Sequence, residues 1–430
     1  MGIKFVFAFI LITNQMNNIL SLFCFLCVTL SIAQVQVEVL PPNYIKSIIL
    51  KGNSDISGNP VIQLGQSLTL EFDDIIGDEA DYYYTLEHFN YDWTPSDLIK
   101  TEYLTGFDNL RIINYMNSYN TLQGFTHYNL KIPNKDTKSL KVSGNYMLKI
   151  LNVNDELVFS RKFMVYRPIA QVKVAIKRSR DLKYINSRQV VNFSINSPDF
   201  LIRNPESTVK VLITKNHNLK SSIEVLKPQY TIGNELIYKY DQETSFQASN
   251  EYLQFDSKDI RSTTLDIGRI ELNELYSHFL FTDRSRATEP YTYNPDINGQ
   301  FVIRTLQGEN SSIEAEYVWT HFKLQNYDPL EGGELHLYGA FNNFVLDDST
   351  LMKYNKESGL YENTLLIKQG FYNYKYVLLN KDGFLDEGFI SGDFEVTENE
   401  YQVLVYFRDL GARFDQIIGY GNASSLNISN

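Results

Sequence analysis

Apolar and polar positions alternate with a period of two along much of the chain, the pattern of strands that bury one face. Val172, Val174 and Ile176 interleave with Lys173, Ala175 and Lys177, and Val191, Phe193 and Ile195 with Asn192 and Ser194. Val209, Val211 and Ile213 interleave with Lys210, Leu212 and Thr214, and Tyr128, Leu130 and Ile132 with Asn129 and Lys131. Tyr401, Val403, Val405 and Phe407 form one more face. Gly, Asn, Asp and Pro separate these runs, which predicts an all-β chain of antiparallel sandwiches. Asn380-Lys381-Asp382-Gly383 reads as a hairpin turn, with Asp-Gly supplying positive φ. Helical signals are few. The clearest is Thr94-Pro95-Ser96-Asp97-Leu98-Ile99, where a capping Thr, a Pro suited to the first position and an acid at the third predict one or two short turns.

The segment before residue 34 has a different pattern. Residues 1–33 carry one charge, Lys4, and an apolar run from Ile19 to Leu30; Ser31 and Ala33 then stand at −3 and −1 before Gln34. That is a secretory leader, with translation starting at Met1 or at the internal Met16. The run is short for a membrane anchor. Phe23 before Cys24 and Leu26 before Cys27 rule out a lipoprotein site, which needs a small residue there. Both cysteines lie in this leader, so the exported chain has no disulfide and no thiolate chemistry. It must rely on apolar cores, which calls for domains of about 100 residues or more. Two joints are expected in the remaining chain. Arg167-Pro168 follows one strand and precedes a new run, and Tyr327-Asp328-Pro329-Leu330-Glu331-Gly332-Gly333 is rich in turn formers. They divide the chain into modules 34–167, 168–327 and 328–430, with no further stretch apolar enough to span a membrane.

Charge and composition narrow the function classes. The 430 residues carry a net charge of −12, which argues against nucleic-acid binding, since that needs a basic footprint. Tyr and Phe number 30 and 27 against two Trp, a bias that fits pleated surfaces. No G-x-S-x-G elbow and no phosphate-binding loop occurs; Gly419-Tyr420-Gly421 lacks the third glycine of a dinucleotide fingerprint. The six histidines are scattered, with no H-E-x-x-H, and no metal or cofactor is expected. The acidic stretch Asp73–Asp81 lacks the order of an EF-hand and reads as a solvated loop between strands. No catalytic residue is assigned, and the chain reads as a protein other than an enzyme, without a small-molecule substrate.

One segment carries a binding-module pattern. Leu335-His336-Leu337-Tyr338-Gly339-Ala340-Phe341-Asn342-Asn343-Phe344, followed by Phe371-Tyr372-Asn373-Tyr374-Lys375-Tyr376-Val377, resembles the strand–turn–strand of starch- and glycogen-binding modules of the early-set, immunoglobulin-like class. Those modules place an exposed Trp after the two Asn; here Phe344 stands there. The resemblance implies an early-set sandwich at the C-terminus. It also supplies the alternative reading, an exported glycan-binding protein with Phe344 and Asn343 as contacts.

A second resemblance covers nearly the whole exported chain. It rests on Leu64–Asp74, Asp81–Trp93, Pro95–Leu98, Glu102–Asp108, Thr126–Tyr128, Ser143–Tyr146 and Phe163–Val165, and continues in Tyr293–Gly299, Glu314–Val318 and Tyr406–Asp415. Together and in order these segments resemble the plug proteins of the type IX secretion translocon of Bacteroidetes. The resemblance implies a periplasmic protein, peripheral to the outer membrane, that docks under a giant outer-membrane β-barrel and closes its periplasmic mouth when no cargo passes. Such a protein works through a broad docking face anchored by aromatic and Arg side chains. Trp93, Phe107 and Arg111 are the candidate anchors in the segments most like the family, while Trp93 also suits the core of a sandwich.

Overall fold

The alternating runs become strands whose inward residues fill three main cores. The structure is a computed structural model, which describes residues 35–52, 58–224, 227–326 and 330–428. The expected leader over 1–33, with Met16 and both cysteines, lies outside the described residues. Among the described residues, helix is confined to three four-residue α-turns and two 3₁₀ turns.

The first core is a sandwich. Leu68, Leu70 and Phe72 of the strand Leu68–Asp74 point inward beside Tyr128, Leu130 and Ile132 of Thr126–Ile132. They meet Tyr84 and Leu86 of Tyr83–Phe89, Tyr146, Leu148 and Ile150 of Gly144–Leu151, and Phe159 and Phe163 of Leu157–Tyr166. Aromatic pairs fill its centre: the rings of Phe72 and Tyr128 stack at 5.0 Å, and Phe72 meets Phe159 edge-on at 5.2 Å.

The facing sheet does not stop at this core. It has nine strands and runs on through Gln416–Ser424, Glu400–Phe407, Val209–Lys215 and Asn218–Glu224. Its second half packs on the sheet of Gln171–Arg178, Arg188–Asn196 and Glu235–Tyr238, with Val191, Phe193, Val211, Ile213, Tyr401, Val403 and Val405 in the second core. Leu212 and Leu404 point to the other side, into a smaller cluster with Tyr91, Met164, Tyr406 and Ile417. Val209–Lys215 and Glu400–Phe407 are therefore buried on both faces. The glycines of Gly419-Tyr420-Gly421 have a packing reason: a Cβ on Gly421 would lie 2.8 Å from the Val172 carbonyl, and one on Gly419 2.8 Å from Val172 Cγ2.

The cores do not follow chain order. The second joins residues 170–246 to 401–418, and the third, lying between them in sequence, takes residues from Phe255 to Ile390. On the two sides of the expected joint at 327–333, Tyr317–Gln325 and Gly333–Tyr338 contribute to the same third core, and Leu330 packs against it. Tyr327–Pro329 themselves lie outside the described residues. Period-two alternation marks a strand but not its partner, so the return of 400–424 to complete the second core leaves no local trace.

Two local expectations shift. The helical turn falls at Lys100–Tyr103, after the expected 94–99. Pro95 is held in a bridge to Phe89, and Thr94 donates to Asp92, so the turn starts where Glu102 can accept from the Ile99 N–H at 2.9 Å. The acidic stretch also divides. Ile76–Glu79 are exposed, whereas Asp73 and Asp74 end a strand and are buried. At 380–383 the hairpin turn forms, with Gly383 at φ +79°.

The nested arrangement predicts that ending the chain at Glu395 exposes the second core. Hydrogen–deuterium exchange should show the amides of Arg188–Asn196 losing their protection. Retained protection there would contradict this topology.

Candidate functional site

Several of the segments that carry the resemblance contribute side chains where the cores join. Three joints can be built from their side chains.

Between the first and second cores, Asn145 Nδ2 donates to the carbonyls of Asn90 at 2.9 Å and Tyr91 at 3.2 Å, while its Oδ1 accepts from the Tyr406 hydroxyl at 2.7 Å. Asp415 accepts from the Tyr91 N–H at 3.0 Å and from Arg408 at 3.1 Å. Arg408 also donates to Asn90. Asp81–Trp93, Ser143–Tyr146 and Tyr406–Asp415 thus form one polar weld. Gly144 is needed there, because a Cβ would lie 2.3 Å from His88 Nε2. Burial pushes the His88 imidazole down to about 4, against the smaller opposing effects of its contact with the Ser143 carbonyl and of nearby Asp415.

Between the first and third cores, Asp73 is the centre. Its carboxylate meets Lys368 Nζ at 2.6 Å, the Tyr317 hydroxyl at 2.7 Å and His127 Nδ1 at 2.7 Å. Lys368 is 2% exposed and lies 4.0 Å from the centre of the Phe125 ring. Burial lowers its pKa, and Asp73 opposes that; burial raises the Tyr317 phenol well above its ordinary value, so it stays a donor. Glu316 adds contacts by accepting from the N–H groups of Leu122 and Gln123.

Between the second and third cores, Glu387 meets Lys215 at 2.9 Å and Lys375 at 3.7 Å. Burial alone would raise the Glu387 carboxyl, but the two lysines hold it below the usual range. Lys375 sits 3.8 Å from the centre of the Tyr252 ring, and burial lowers its pKa. Within Tyr293–Gly299, Asp296 accepts from the Tyr252 N–H, and Gly299 at φ +79° lets that ring approach.

The candidate anchors do not form one patch. Trp93 is half-buried, packs on the cluster between the first two cores, and has Lys162 Nζ 4.1 Å from its ring centre. It belongs to a joint, not to the centre of a sandwich. Arg111 pairs with Tyr83 at one end of Tyr83–Phe89, about 20 Å from Phe89 at the strand rise of ~3.3 Å, while the Trp93 ring lies against Phe89 at the other end. It is exposed and bound to Asp81 at 2.6 Å. Phe107 is 76% exposed. The glycan contacts fare differently. Phe344 is buried against Tyr338 at 5.0 Å and Val377, so it has no open face for a sugar ring. Asn343 donates to Glu38 at 2.8 Å.

Beside the Asp73–Lys368 joint lies a groove of about 830 Å³, lined by parts of Ile45–Gly52 and Phe301–Ile303 and by Arg161, Lys162 and Asn343. Sequence reasoning missed this groove and the buried charges. A Lys inside the aromatic run 371–377 was the one local sign of a buried cation. Among the described residues, no cluster of three His, Cys, Asp or Glu is placed to hold a metal ion, and no helix is long and apolar enough to cross a membrane.

A family profile, type 9 secretion system plug protein 1st domain, matches residues 45–167. The chain belongs to the type IX secretion plug family. The crystal structure of a hypothetical protein from Parabacteroides merdae is similar at 32% identity and TM-score 0.87, covering 90% of this chain and 100% of that one. The N-terminal domains of the bacteriophage RB49 outer capsid protein Hoc cover 88% of this chain and 97% of that one at 10% identity; an ICAM-5 ectodomain fragment covers 88% and 77% at 8%. Both have TM-scores of 0.14. No curated protein matches.

Two outcomes are expected of these joints. Lys368→Met leaves Asp73 buried without its cation and should cost about 3–5 kcal/mol in urea unfolding; a change below about 1 kcal/mol would contradict the assignment. His88 is neutral in the fold and takes up a proton more readily when unfolded. Its contribution is present above pH 6.5 and is lost as the pH falls towards 4, by about 3 kcal/mol. His88→Gln should flatten that part of the stability–pH curve, and an unchanged slope would speak against it.

Proposed function

We propose that the chain is a periplasmic plug subunit that docks on the outer-membrane translocon of type IX secretion and closes its periplasmic opening when no cargo passes. The match of residues 45–167 to the plug family's first domain carries this reading. The welded cores support it, since a stopper works by shape and must not yield when pressed. The functional surface is then an outer face of the first domain, with Phe107 and Arg111 as its anchors. Phe107 presents a large aromatic to solvent, and Arg111 and its partner Asp81 form a solvent-exposed ion pair that can exchange partners. Trp93 acts through the joint beneath that domain. The chain binds by contact and makes no bonds.

Tagged protein should co-purify with a very large outer-membrane β-barrel from solubilised membranes. Phe107→Glu with Arg111→Glu should reduce that recovery at least about tenfold, the loss of roughly 1.4 kcal/mol or more. Deletion should make the outer membrane leaky to bulky solutes while the translocon is present. Recovery of the plug alone, or unchanged permeability after deletion, would refute the reading.

A further inference from the structure

The groove between the cores has a charge opposite in sign to the chain that builds it. The chain carries −12, yet six basic residues line the groove against three acidic ones. Two of those acids are already paired: Glu71 with Lys51 at 3.6 Å and Asp73 with Lys368 at 2.6 Å. Lys131, Arg161, Lys162 and Lys220 are left to share Glu38. Glu38 is itself engaged, accepting from the Lys162 backbone N–H at 2.7 Å and from Asn343 at 2.8 Å.

Arg161 is the most telling of these cations. It is 8% exposed, and its Nη1 donates to the Ser160 carbonyl at 2.9 Å. Its guanidinium lies 5.6 Å from the centre of the Phe159 ring. Among the described residues it forms no ion pair within 4.0 Å. A guanidinium presents five N–H donors in a planar fork, and only Nη1 of this groove-lining one has a protein acceptor among the described residues. Burying a cation this way is unfavourable until an anion arrives. Burial lowers the pKa of Arg161 and of Lys162, and Lys220 repels the latter further, although Glu38 opposes both shifts.

The walls of the groove narrow the kind of anion. Ile45–Gly52 is the outermost strand of its four-stranded sheet, and Phe301–Ile303 is the outermost strand of another. An edge strand offers backbone N–H and carbonyl groups for pairing with a further extended chain. Ile48, Ile49 and Val302 supply apolar surface between the charges. A small anion would use the cations and ignore both edges. An extended peptide with alternating apolar and acidic residues would use all three features.

We propose that this groove receives an extended acidic peptide segment of a partner protein, which adds to an edge strand through its backbone and sets a carboxylate on Arg161. The inference goes beyond the translocon reading and does not depend on it.

Fluorescence anisotropy with the intact protein and a fluorescein-labelled (Val-Glu)₄ peptide tests this. Saturable binding is expected, weakening several-fold between about 50 mM and about 300 mM salt. Lys131→Glu with Lys220→Glu changes two exposed side chains, which keeps the fold intact, and should weaken binding about tenfold or more, a change of roughly 1.4 kcal/mol. Arg161→Lys keeps the charge and loses the fork, and should also weaken it. N-methylation of alternate peptide nitrogens should abolish it. Absence of saturable binding, equal binding of the N-methylated peptide, or indifference to the double charge reversal would overturn the proposal. Inorganic phosphate that binds while the peptide does not would mark a small-anion site and overturn it as well. Loss of translocon co-purification with these results intact would leave the groove assignment standing.

Discussion

The constraint on which this molecule depends is the burial of charge between its cores. Asp73 lies on the first sandwich and Lys368 on the third, and the two meet at 2.6 Å with almost no solvent. Taking both ions out of water costs several kcal/mol each, which only close contact and further hydrogen bonds can offset. The Tyr317 hydroxyl and His127 supply those bonds on the Asp73 side, and the Ser312 carbonyl accepts from Lys368. The same logic operates at Glu387, where two lysines from different cores share one carboxylate. Moving one core relative to another would strand these groups without water or partner. Inter-domain contacts within a chain are ordinarily soft and polar. Here they are specific and dry, and they fix the positions of the three sandwiches.

Hydrogen bonds add to these ion pairs at the joint between the first two cores. Asn90, Asn145, Arg408 and Asp415 come from segments far apart in sequence and close one network. A nine-stranded sheet shared by the first two cores adds a second tie, made of backbone. The groove is a consequence of the same construction: three sandwiches held at fixed angles leave a space where sheet edges and uncompensated cations face each other.

Much of the architecture was legible in the chain. Period-two alternation identified the strands Arg188–Asn196 and Thr126–Ile132 because each has one dry and one wetter face. Val209–Lys215 was legible as a strand, but its burial on both faces was not, since Leu212 and Thr214 look the same whether solvent or another sheet lies beyond them. The nested order was invisible for a related reason: nothing local in 400–424 names 209–215 as its partner. The burial of Phe344 was not legible because the turn that places it keeps the spacing of a binding loop, while its ring packs on Tyr338. Asp73 was hidden among seemingly solvated acids. Only its position on the outward face of a strand, covered by another core, sets it apart from Asp78.

Differential scanning calorimetry of the intact protein tests the central claim most directly. If buried charge locks the three cores together, heating should give one transition in which the calorimetric and van't Hoff enthalpies agree for the whole chain. Resolved transitions, or a calorimetric enthalpy two to three times the van't Hoff value, would mean that the cores melt separately and would contradict it.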